Sequence, residues 1–158
     1  MRHLAFALIV GIAIPAALSA QALVSKEARM SDQAKGEFDV KIAPISGADE
    51  TLSRLSIDKQ FHGDLVATGV GQMMASRDEK TKAAVYVAIE TVTGALRGKK
   101  GSFQLAHRGM MSPAGQELSV VIVPASGTGE LAGISGDLEI IIEGGKHSYV
   151  LRYTLPAS

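Results

Sequence analysis

From Gly36 to Leu155 the chain alternates short apolar and polar positions, broken by glycine and proline, and no segment there carries a long helical period. A repeat of two puts successive side chains on opposite faces of an extended strand, so this stretch reads as pleated sheet with one face turned inward. Phe38, Val40 and Ile42 alternate with Glu37, Asp39 and Lys41 until Pro44 ends the run. Leu55, Ile57 and Phe61 share a face over 52–62, with Lys59 interrupting the apolar side. His62-Gly63-Asp64 is a tight turn, and 65–76 is a glycine-containing strand that ends in Met73-Met74. Residues 77–82 are a charged connection.

The second half repeats the pattern. Residues 83–96 are rich in Val, Ile, Tyr and Thr, which suit a pleated, half-buried surface. Residues 97–100 form a hairpin turn, 101–111 return, and Pro113-Ala114-Gly115 turns into the apolar strand 116–123. A glycine-rich stretch over 127–136 precedes a β-branched run at 138–143. Gly144-Gly145 is a two-residue hairpin signal, and 147–155 closes the chain with Tyr149, Leu151, Tyr153 and Leu155 on one face. About eight short strands joined by hairpins predict an all-β fold, an antiparallel sandwich or barrel. An eight-stranded barrel has room for packed side chains or one small ligand, and its closure removes exposed edges.

The first 22 residues read differently. Met1-Arg2-His3 is a short basic start, 4–18 run without a charge, and Ala20-Gln21-Ala22 supplies a small-residue cleavage pattern. That order is a secretory signal, with cleavage after Ala20 or Ala22 equally readable. The 15-residue apolar stretch is shorter than the ~20 residues that span a bilayer. Residues 23–35 read as a flexible lead-in, which leaves one domain over 36–155. Loss of Arg2 leaves 15 basic against 16 acidic side chains, a net charge of −1. The expected product is periplasmic or secreted. A balanced charge gives no footprint for nucleic acid. Too few aromatics flank the strands to make the girdles of an outer-membrane barrel, so no stable membrane insertion is expected after cleavage. The chain has no cysteine, which excludes disulfides, thiolate zinc sites and thiol catalysis.

Three stretches carry a family resemblance: Phe61-His62-Gly63-Asp64-Leu65 with Gly69 and Gly71; 90–96 followed by Gly101-Ser102-Phe103-Gln104-Leu105-Ala106-His107; and 126–136. Together they resemble a bacterial domain-of-unknown-function family, number 3224, similar in fold to the allene oxide cyclase and dirigent-type barrels. The resemblance implies an eight-stranded antiparallel, allene oxide cyclase-like barrel with an apolar cavity, and brings no activity with it.

The strongest pairing of reactive residues is Glu90 with His107. A hairpin centred between Gly98 and Lys99 sets Val92 opposite Leu105 and Glu90 opposite His107, on a face shared with Tyr86, Phe103 and Leu105 as pocket residues. A carboxylate beside an imidazole can move a proton, and the same pair can equally be a structural contact between two half-buried polar groups. A slip of one residue would instead set Glu90 against Arg108. Residues 127–132 match a dinucleotide fingerprint formally, but Gly133 and Gly136 would break the helix it requires, so turn and bulge roles are expected. Met73-Met74 and Met110-Met111 could line an adaptable pocket, though core filling is commoner. His62, His107 and His147 lack metal-type spacing, and neither metal nor cofactor is expected. Three functions fit: a barrel binding a small apolar or amphipathic molecule; a cyclase- or isomerase-like enzyme with Glu90 and His107 as acid and base; and a structural or homo-oligomeric module.

Overall fold

The computed structural model describes residues 31–46 and 52–156; the expected signal peptide and residues 23–30 of the lead-in lie outside them. Eight strands follow in order: β1 (Asp32–Pro44), β2 (Ser53–Gly63), β3 (Leu65–Arg77), β4 (Ala84–Leu96), β5 (Lys99–Ser112), β6 (Gly115–Ile122), β7 (Ser135–Glu143) and β8 (Lys146–Thr154). Each pairs antiparallel with its neighbour in sequence, and β1 also pairs with β8, which closes the barrel. Of the antiparallel sandwich or barrel expected from the alternation, the observed fold is the barrel, eight-stranded as the family resemblance implies. β1 starts earlier than the sequence pattern suggests. Residues 32–35 of the expected lead-in pair with β8, and Ala34, opposite Leu151, is fully buried.

The interior has two zones because the strands run up and down. The β2–β3, β4–β5 and β6–β7 connections gather at one end, and the other four at the opposite end. The first end is solid. Phe61, Leu65, Val92, Leu96, Phe103, Leu105, Leu151 and Tyr153 pack there, and the glycine-rich segment folds over it. That segment makes a single 3₁₀ turn, Gly129–Leu131, and inserts Leu131 and Ile134 into the core. It is stitched to β5 by Thr128 N–H to the Ser102 carbonyl at 2.8 Å and Lys100 N–H to Glu130 Oε2 at 2.8 Å. The nucleotide-type spacing therefore forms a plug, with no helix N-terminus to receive a phosphate.

Tyr149 ties β8 to the β2–β3 turn. Its hydroxyl accepts from Leu65 N–H at 3.0 Å and donates to the His62 carbonyl at 3.1 Å. Its ring meets Phe61 edge-on at 5.6 Å between centroids. Tyr149→Phe keeps the ring and strands a buried N–H, which costs about 1–3 kcal/mol. The urea midpoint should fall by that free energy divided by the denaturant slope, with the slope itself unchanged.

Candidate functional site

The β4–β5 hairpin sets the register of the site. Its turn is Arg97-Gly98, both at positive φ (46° and 84°), with Leu96 paired to Lys99. Two-residue hairpins prefer this conformation because its twist matches the strands, and glycine fills the second position without strain. The expected centre between Gly98 and Lys99 lies one residue too late. Glu90 is opposite Leu105, and His107 is opposite Ala88. The slip is two residues in pairing, so parity is preserved and both side chains keep the inner face. They are diagonal neighbours, close enough for long side chains to meet. His107 Nε2 lies 3.1 Å from Glu90 Oε2.

A third residue completes the cluster. Lys59, on β2, points inward and donates from Nζ to Glu90 Oε2 at 2.7 Å. Its ammonium also lies 4.9 Å from the Phe38 ring centroid and 5.6 Å from that of Phe61, so the ring faces share in holding its charge. β3 runs between β2 and β4, and glycine makes the crossing passable. A Cβ on Gly69 would overlap Glu90 Oε1, and one on Gly71 would come within 2.8 Å of Glu90 Cα. The carboxylate reaches Lys59 through the space these two residues leave. Lys59 was visible in sequence only as a break in the apolar phase of β2, and Gly69 and Gly71 only as glycines inside a strand.

All three polar groups are buried: Glu90 is 0% exposed, Lys59 7% and His107 7%. Burial pushes the Glu90 carboxyl upward, but the His107 hydrogen bond and the Lys59 charge and hydrogen bond outweigh it. The net shift is downward and Glu90 is ionised. An ionised carboxylate only accepts, so His107 Nε2 carries the hydrogen and Nδ1 is the ring's remaining nitrogen. Glu90 Oε1 is buried and has no hydrogen-bond partner among the described residues.

Above this cluster the barrel is hollow. A cavity of about 390 Å³ is walled by Phe38, Val40, Ile57, Met73, Tyr86 and Ile140, among others, with Lys59 and His107 toward its base. Of the expected pocket residues, Tyr86 lines this space, its ring over Gly109, where a Cβ would overlap it. Phe103 and Leu105 lie in the solid core and do not line the cavity. Met73 and Met111 line it, and Met111 is exposed as well, as are Met74 and Met110. His147 is at the cavity wall and His62 pairs with exposed Asp39 at 3.2 Å, so the histidines do not converge. Among the described residues no group of three His, Asp or Glu side chains could hold a metal.

A model described as "Protein of unknown function (DUF3224)" matches residues 34–153. The chain belongs to the DUF3224 family. A crystal structure of a DUF3224 protein of unknown function from Shewanella oneidensis MR-1 is similar, at 37% identity and a TM-score of 0.75, covering 81% of this chain and 99% of that one. No functionally curated protein matches. The DUF3224 match takes in Lys59, Glu90 and His107, both glycines beneath the carboxylate, and the plug.

Removing one partner of a buried ion pair costs about 3–5 kcal/mol, whereas removing both together is often nearly neutral. Lys59→Met should therefore destabilise strongly, and Lys59→Met/Glu90→Gln should recover most of that loss. The depressed Glu90 pKa also fixes the acid response. Its contribution is fully present above the unfolded value of about 4.3 and is lost as pH falls through the folded value. Chemical denaturation between pH 6 and pH 3 should show wild type losing more stability than the double variant.

Proposed function

We propose that this DUF3224 barrel binds a small apolar or amphipathic molecule in the cavity above Lys59 and His107. The supporting observation is the half-filled interior: one end is packed solid and plugged, while the other keeps a 390 Å³ apolar hollow. Cavities of that size, mostly apolar with a few convergent polar groups, are the usual form of small-molecule sites. The polar floor gives orientation, and the aliphatic wall gives affinity through burial. A neutral fluorescent probe, N-phenyl-1-naphthylamine, should bind with one site per chain. Ala75→Trp, which fills the cavity wall, should weaken it at least tenfold. Failure of the probe to bind wild type would overturn the reading.

A second reading, cyclase- or isomerase-like chemistry, is favoured by the hydrogen-bonded orientation of His107. Glu90 does not line the cavity, so in that reading His107 would carry the proton and Glu90 would position it. Recovery of a bound natural ligand chemically unchanged favours binding alone; its conversion, lost in His107→Ala, favours the enzyme. A homo-oligomeric module is a further reading, supported by Val70, Val87 and Ile89, exposed together on the outer faces of β3 and β4.

Export to the periplasm or medium belongs to the same proposal and is supported by the order of residues 1–22. The mass of the protein recovered from the periplasmic fraction should correspond to a chain beginning at Gln21 or Leu23. A full-length mass there would overturn it.

A further inference from the structure

The cavity is chemically one-sided. Every ionisable side chain among its lining residues is basic or phenolic: Lys59, Arg77, His107, His147 and Tyr86. Glu90, the acid beneath them, is 0% exposed, covered by Lys59 and His107. At the rim, Glu79 is engaged by Arg77 at 3.1 Å and Lys82 at 3.1 Å. Lys59 has donor capacity to spare. An ammonium carries three N–H groups, and among the described residues the only acceptor bonded to Nζ is Glu90 Oε2. The aromatic faces of Phe38 and Phe61 accompany the charge but accept no conventional hydrogen bond.

We propose that the cavity selects molecules whose inner end is an oxygen acceptor, a carboxylate or a carbonyl, seated on Lys59 Nζ, with an apolar body filling the space toward the mouth. This rests on the ligand-binding reading above and names the class of ligand. Phe38 to Ile42 marks the cavity along β1; the four rises between them at a barrel tilt give a depth of roughly 10 Å, which suits an apolar body on the order of eight carbons. A cationic end is rejected by the same arrangement. An amine would meet the Lys59 ammonium directly, while the carboxylate that could compensate it is sealed beneath.

The test compares decanoate, 2-decanone and decylamine as competitors of N-phenyl-1-naphthylamine. Decanoate or 2-decanone should displace the probe at least tenfold more tightly than decylamine, and the stronger of the two distinguishes an anionic from a neutral acceptor. NMR of wild-type protein labelled at lysine should show the Lys59 Cε resonance moving on addition of the stronger acceptor. In Lys59→Met/Glu90→Gln, which removes the pair together so that the barrel can fold, the preference over amine should fall to about one. Equal displacement by all three, a preference for decylamine, or a preference that survives in the folded double variant would overturn the inference while the probe still binds. If the probe fails to bind wild type, the ligand-binding reading itself falls.

Discussion

The Lys59–Glu90 ion pair sets the terms for the barrel interior. Two charges removed from water are tolerable only when they meet each other and are hydrogen-bonded. Here the 2.7 Å contact supplies the first condition and, with the His107 hydrogen bond, part of the second, while two aromatic faces accompany the ammonium charge. Several other features follow from keeping that pair together. Gly69 and Gly71 must lack side chains so that the carboxylate can pass over β3. Three separate strands must hold their register, because a shift of one residue in any of them would turn its member of the cluster outward. The pair lies where packed core gives way to open space, and its position divides a solid half from a hollow one.

Different parts of this arrangement were legible in the sequence to different degrees. The strands were readable because β1 and β8 alternate cleanly, β4 is rich in strand-favouring residues, and the Gly144-Gly145 and Gly63 turns punctuate the chain. The face carrying Glu90 and His107 was readable because parity survives a shift of two. Their exact opposition was not, since it hung on which two residues of Arg97-Gly98-Lys99-Lys100 form the turn, and the positive φ of Arg97 decides that. Lys59 was harder still. A lysine on an apolar stripe reads as an interruption until a carboxylate is known to arrive from two strands away, and nothing local in β2 announces a partner 31 residues later. The depth of the cavity was also hidden. Phe103 and Leu105 share the parity of His107, but parity gives the face and not the height along the barrel axis, and height separates core from cavity.

The aromatic side chains link these two levels. His147, Phe38, Phe61 and Tyr149 follow one another at centroid spacings of 5.1, 5.5 and 5.6 Å. This column runs from the cavity wall, past the Lys59 ammonium, to the hydroxyl that ties down the β2–β3 turn. Tilted and edge-on contacts of this kind fix ring orientation as well as burying area. The lysine is thus held against rigid surfaces and not left to sample the cavity as a free chain.

The ring of strands is not sewn evenly. β3 and β4 pair along 13 positions, whereas β6 and β7 share the single pair Val121 and Asp137. Beside that line Arg152, reaching from β8, grips Asp137 at 2.9 Å and also Glu139, so both contacts join β8 to β7 and neither crosses to β6. A cylinder with one loosely fastened join behaves mechanically as a rolled sheet: parting at that line widens the tube while every other ladder stays intact. Local opening is drawn from the least stable contacts, and among the strand pairs of the wall the join between β6 and β7 has the fewest ladder contacts to lose.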